Sequence, residues 1–280
     1  MAEIPRISVK GVEIHFEGDH PRTVVMLHGW PDTYRLWDAT VAALKDRYCC
    51  VRFTLPGFDT AAPARITSLD DMCELLQTLV DQVSPGVPVT LLLHDWGCAF
   101  GYEFAARFPD RVSRIVAVDI GDHNAEALVQ ALTPRQRAQV FGYQFWLALA
   151  WKLGGSTGTW MTRWMARQLG CRSDPALIGW QMNYPYAMRW FGSAGGLARA
   201  LPVPVNRPML YIYGERKPFM FHSPQWLAAL AARAGCAVHA FPTGHWVMVQ
   251  QPEAFNRCVR EWLLASDTRD PLSVKVPPVA

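Results

Sequence analysis

Leu91, Leu92, Leu93, His94, Asp95, Trp96, Gly97, Cys98, Ala99, Phe100 and Gly101 form the stretch from which the fold is read. An apolar run of strand type meets one acidic residue on a sharp corner and continues into a helix opening with small residues, the construction of a nucleophile elbow. Asp95 stands in the nucleophile's position, where serine is usual. The change matters: a carboxylate attacking an ester carbonyl forms an anhydride no more stable than the substrate, whereas attack at a saturated carbon forms an ordinary ester that water can cleave. The plainer reading makes Asp95 an N-cap for the following helix, a place where aspartate is favoured. Taken alone, the residue fits that role better; the rest of the chain overturns it.

On the amino-terminal side, Ile7 to Val9 and Val12 to Phe16 alternate around Gly11 and read as an antiparallel edge. Thr23 to Leu27 is a buried strand entering the loop His28, Gly29, Trp30, Pro31, and Cys49 to Leu55 repeats the pattern up to Pro56 and Gly57. Leu36 to Leu44 is helical in spacing, and Ser68 with Asp71 opens another helix. Val87 to Leu93, Cys98 to Phe108 and Ile115 to Val118 continue as strand, helix and strand. The pattern is α/β: a mostly parallel, doubly wound sheet.

From residue 124 to 201 the alternation stops, and the chain is helical and aromatic. This segment reads as an inserted helical cap, with N-caps at Thr133 and Asp174, each followed by proline, and a flexible turn from Gly154 to Gly158. The sheet resumes at Met209 to Tyr213 and Ala237 to Phe241, with a helix from Pro224 to Ala234 between them. A last helix buries Phe255, Val259, Trp262 and Leu263. The expected division is a core of residues 1–123 and 202–265, a cap of 124–201 and a disordered tail of 266–280.

Composition excludes several classes. The 280 residues are half apolar and carry 27 basic against 24 acidic side chains, a formal charge of +3 that marks no nucleic-acid surface. Seven cysteines without paired spacing argue against disulfides or a zinc site. Met1 to Gly11 lacks the apolar core of a signal peptide, and no run reads as a membrane span. The expectation is a cytoplasmic monomer or homodimer acting on a small apolar substrate and water, with no cofactor, metal, nucleic-acid or membrane partner.

His245, in Thr243, Gly244, His245, Trp246 after the last strand, follows the order nucleophile, acid, histidine. With His28, Gly29, Trp30, Pro31 and with His94, Asp95, Trp96, Gly97, it makes the chain resemble the epoxide hydrolases and haloalkane dehalogenases of the α/β-hydrolase superfamily over residues 5 to 265. The resemblance implies an α/β-hydrolase fold with Asp95 as nucleophile and His245 as base. It also implies an oxyanion hole from the backbone N–H groups of Trp30 and Trp96, and a cis Trp30–Pro31 bond. Two such donors in a dry site are worth ~3 kcal/mol each where charge develops on an Asp95 oxygen.

The triad acid departs from the common pattern. Epoxide hydrolases usually carry aspartate three residues past the glycine of Tyr213, Gly214, and this chain has Lys217 there. Glu215 and Asp119 are the replacements, with Asp122 third. Asp119, 24 residues after Asp95, stands where one branch of the dehalogenases carries its acid, and a buried strand end holds a carboxylate against a histidine better than a loop does. Epoxide hydrolases also provide two cap tyrosines to meet the departing alkoxide; Tyr143 and Tyr186, or failing that Tyr184, resemble these and favour an epoxide. Leu93 and the Trp96 indole leave a haloalkane substrate open. Leu55, Pro56, Gly57, Phe58 lacks the usual Asp-Arg-Gly start, which leaves a strained lactone open as well. A non-catalytic receptor is the competing class.

Overall fold

The computed structural model describes residues 6–204 and 206–268. Strands β1 (Arg6–Val9), β2 (Val12–Glu17), β3 (Thr23–Leu27), β4 (Cys49–Phe53), β5 (Val89–His94), β6 (Val112–Val118), β7 (Met209–Gly214) and β8 (Ala237–Phe241) form one sheet. Their spatial order is β1-β2-β4-β3-β5-β6-β7-β8; the β1/β2 and β2/β4 pairings are antiparallel and the others parallel. The chain steps outward from β3 to β4 and then returns to lay β5 on the other side of β3. In open α/β sheets, ligands bind above the carboxyl ends of the strands at such a reversal.

Because successive strand residues face opposite sides, the buried parallel strands feed two cores. Val25, Leu27, Leu91 and Leu93 pack with α2 (Leu69–Val83) and α3 (Trp96–Arg107), through residues such as Leu76 and Phe100. Val24, Met26, Leu92 and Val116 pack with α1 (Asp38–Leu44) and with α10 (Pro252–Asp267), which follows α8 (Pro224–Ala231) and α9 (Val247–Gln250), through Val41, Phe255 and Val259. The Ser68 hydroxyl accepts the Asp71 N–H while Asp71 accepts that of Ser68, so α2 begins where the sequence places it. Helix α10 runs past the expected boundary: Asp267 is held by Arg114 (2.5 Å) and by the Tyr48 hydroxyl (2.7 Å), so residues 266–268 are structured, and the rest of the expected tail lies outside the described residues.

Between β6 and β7 lie α4 (Glu126–Ala131), α5 (Pro134–Leu153), α6 (Gly155–Gln168) and α7 (Tyr184–Phe191). The turn expected over Gly154–Gly158 is a single residue, Gly154 (φ +62°), and the other four belong to α6. Gly158 serves close packing instead of flexibility: a Cβ there would overlap the Ala150 carbonyl and lie 2.9 Å from Trp180. The cap at Asp174 opens only the short turn Pro175–Leu177, since Ile178 leaves it in extended conformation to bury its side chain.

Two glycines let backbone meet backbone where the β3 and β5 ends adjoin. A Cβ on Gly97 would overlap the Leu27 carbonyl oxygen and lie 2.5 Å from that of His28. Gly97→Ala is therefore expected to destabilise the protein by ~1–3 kcal/mol in urea unfolding. Gly142→Ala, within α5 and facing open space, is expected to add ~0.5–1 kcal/mol.

Candidate active site

Asp95 leaves β5 with φ 51° and ψ −122°, a conformation rare for a residue with a side chain. It occupies the N-cap position of α3, yet its side chain makes no capping bond. Its Oδ1 instead accepts the Trp30 backbone N–H at 2.6 Å, and its Oδ2 lies 3.5 Å from His245 Nε2. Gly29 permits this approach, because a Cβ there would overlap the Asp95 carboxylate and lie 2.5 Å from the Trp96 nitrogen. The Trp30–Pro31 bond is cis. The Trp96 N–H opens α3, among the donors a helix leaves unpaired.

His245 follows β8, and its Nδ1 lies 2.5 Å from Asp119 Oδ2. Asp119, fully buried at the end of β6, also accepts the Gly214 N–H (3.0 Å) and pairs with the Lys217 ammonium. Glu215, the alternative acid, is exposed, and its backbone N–H donates to the Phe241 carbonyl; the structure brings Asp119 to the histidine. Asp122 is committed to the Ser223 N–H (2.7 Å) and hydroxyl (2.6 Å). The pairing of Lys217 with Asp119 was not foreseen, because the two are 98 residues apart and nothing local marks them as partners.

The charges explain one another. Burial disfavours the imidazolium of His245, but the Asp119 charge and hydrogen bond, joined by those of Asp95, raise its pKa to about 9. Burial likewise opposes both carboxylates; His245 outweighs it at Asp95, and Lys217 with His245 at Asp119, so both fall below the ordinary range. His94 packs its ring 4.5 Å from that of His245 and is held neutral by burial, its pKa near 3. Asp32, also unforeseen as part of the site, accepts the Trp246 indole N–H (2.8 Å) and the Ser173 hydroxyl; burial raises it to about 6. Its signal was its place in the loop after Pro31.

A cavity of about 210 Å³ stands over Asp95 and His245. Tyr143 of α5 and Tyr186 of α7 line it, with Trp30, and burial raises both phenols above their ordinary pKa. Tyr186 meets the rings of Trp30, Trp96 and Tyr143 edge-on. Tyr184 instead packs on Phe58 and Phe100, away from the cavity. Cys98 is buried against Val118 and its thiol is pushed up by burial. Among the described residues, no group of three or more His, Cys, Asp or Glu is placed to hold a metal ion.

Residues 24–257 match the alpha/beta hydrolase family, and the chain belongs to that family. Among curated relatives, it is 34% identical over 134 residues to an epoxide hydrolase of Neurospora crassa, taking in 45% of this chain and 39% of that one. It is 31% identical over 127 residues to the cis-3-alkyl-4-alkyloxetan-2-one decarboxylase of Shewanella oneidensis, over 41% of this chain and 38% of that protein. The chain thus spans about two fifths of the length of these relatives. A Bacillus megaterium epoxide hydrolase crystallised with an inhibitor has the same fold, with a TM-score of 0.68 at 19% identity over 92% of this chain and 99% of that one. Haloalkane dehalogenases are also among the solved structures of this fold.

Of the two carboxylates that raise His245, Asp119 contributes more than Asp95. Asp119→Asn is expected to lower the His245 pKa from about 9 by ~1–3 units in an NMR titration. Glu215→Gln should leave that titration unchanged.

Proposed function

We propose that this hydrolase opens an epoxide to a vicinal diol through an alkyl ester on Asp95. The observation that carries the reading is the carboxylate itself, at the elbow but not capping its helix, with one oxygen on a backbone donor and the other toward His245. In the first step an Asp95 oxygen bonds to a ring carbon of the epoxide, and the carbon–oxygen bond of the ring breaks. The departing alkoxide is too basic to leave unaided and takes a proton from Tyr143 or Tyr186. In the second step His245 takes a proton from water, and the hydroxide adds to the Asp95 carboxyl carbon. The Trp30 and Trp96 N–H groups meet the oxyanion, the bond between the Asp95 carboxyl carbon and the substrate's oxygen breaks, and that oxygen takes the proton from His245 as the diol leaves. The tyrosinate of the first step regains its proton from the resting His245 imidazolium before water is activated, and the proton left on the Asp95 carboxyl passes to His245 at the end, so every group returns to its starting state. Helices α5 and α7 act as the cap that brings the tyrosines over the carboxylate.

Lys217 has a part in this cycle. With Asp95 and Asp119 ionised, His245 protonated and Lys217 charged, the buried quartet is neutral. Esterification removes the charge of Asp95, leaving one excess positive charge, and the quartet becomes neutral again when His245 loses its proton. Lys217 thereby helps to make His245 a free base at the moment water must be activated. Lys217→Met is expected to move the pH midpoint of ester hydrolysis, measured in single turnovers, upward by ~1 unit.

The relative named for an oxetanone supports a second reading, a strained four-membered lactone. Attack by Asp95 at its saturated carbon would release a carboxylate, which needs no proton. The direct test is intact-protein mass spectrometry of His245→Gln after exposure to epoxides, lactones and haloalkanes. An adduct on Asp95 with the mass of a whole epoxide is expected; no adduct from any class removes the proposal. In a Tyr143→Phe/Tyr186→Phe variant, ester formation from epoxides should fall by about 100-fold or more, while that from a lactone should hold.

A further inference from the structure

The small net charge of the chain conceals a segregation. Residues 124–201 hold eight Lys or Arg against two Asp or Glu, whereas the rest holds 19 against 22. Among the described residues, none of these eight cations is in an ion pair. On the same helices, large apolar side chains face outward: Trp160 is 59% exposed, Leu153 56%, Phe145 44% and Phe191 43%. They connect across the surface. Trp160 and Trp164 of α6 contact the Trp146 ring of α5; the next side chain back, Phe145, contacts Trp190 and Phe191 of α7. Cations are set among them: Lys152 Nζ lies 5.6 Å from the Phe191 ring centre, and on α6 Trp160, Arg163, Trp164 and Arg167 follow one another at one-face spacing.

We infer that the outer face of α5, α6 and α7 docks on an anionic lipid surface. Aromatic rings interleaved with arginine and lysine suit the headgroup boundary, where the rings bury their edges and the cations meet lipid phosphates. A second copy fits poorly, because face-to-face pairing would set the cations of one copy against those of the other. A nucleic-acid strand fits less well too, since Phe145, Trp190 and Phe191 meet edge-to-face at about 70° and shield one another's faces from stacking bases. The surface also adjoins the cavity. Helix α6 carries Trp160 and Trp164 and ends at Gln168 and Leu169, which line it, so the docked face would bring the mouth of the cavity to the bilayer.

The test is flotation of the full chain with vesicles of equal phosphatidylglycerol and phosphatidylcholine, and with vesicles of phosphatidylcholine alone. Binding to the first, weakened by salt, is expected. Trp160→Ser/Trp164→Ser and Lys152→Glu/Arg167→Glu should each weaken it by about tenfold or more, while Arg47→Glu, the same kind of charge change outside the face, should not. Circular dichroism and thermal melting establish that each variant is folded. Absence of binding, equal binding to neutral vesicles or indifference to both double variants would overturn the inference. So would a dimer in sedimentation velocity that both variants dissolve, or tighter binding to oligo-dT through the same tryptophans.

Discussion

The bond from the Trp30 amide to the Asp95 carboxylate, 2.6 Å long, is the constraint on which the rest of the site depends. It requires two loops to meet without side chains between them, and Gly29 and Gly97 provide the space. It also requires Asp95 at a positive φ, a conformation that costs about 1–3 kcal/mol and persists only when its surroundings over-determine it. They do so here. The buried His28 bridges the Gly29 carbonyl and the Leu55 amide, and burial keeps it neutral, with a pKa near 4, so that one ring nitrogen can accept the Leu55 N–H. The β3 loop is thereby pinned to the start of the β4 loop, and its amide is aimed before any substrate arrives.

The second determinant is the neutrality of a buried charge cluster. An aspartate, a histidine and a second aspartate would leave one net negative charge in the interior, which is costly unless compensated. Lys217 compensates it from the loop after β7. The ammonium meets one oxygen of Asp119 while His245 takes the other, so the loop residue serves the carboxylate from its far side. Asp119 can hold His245 and Lys217 together because its two oxygens point to different partners.

Most of the frame was legible in the sequence, because the features that specify it are local. The alternation in β5, the capping box at Ser68 and the Thr133–Pro134 pair each act within a few residues, and the helices and strands begin close to where these signals fall. The position of Asp119 beside His245 was legible for a physical reason too, since a buried strand end fixes a carboxylate more firmly than an exposed loop such as that of Glu215. The pairings that bridge distant segments were not legible: Lys217 with Asp119, Asp32 with Trp246, Trp30 with Asn183. Gly154–Gly158 misled in the opposite sense, because glycine serves close helix packing as readily as it serves a turn. The charge of residues 124–201 was averaged away by the opposite balance elsewhere.

These distant pairings also decide how rigidly the helices sit over Asp95. The Trp30 indole donates to Asn183, just before α7, and Asn183 donates in turn to Thr162 of α6. Asp32, two residues beyond Trp30, takes the Ser173 hydroxyl after α6 and the indole of Trp246 beside His245. The loop that aims an amide at the carboxylate therefore also holds the segment that places Tyr186 above it, so donor, carboxylate and phenol share one set of hydrogen bonds. Lifting the helices to admit substrate would break several buried polar contacts at once, each costing about 1–3 kcal/mol when its partner is left unpaired. Gln168, Leu169 and Arg216–Phe219 line the same cavity and take part in none of these bonds, so the cavity wall on that side is free of the network that fixes the helices.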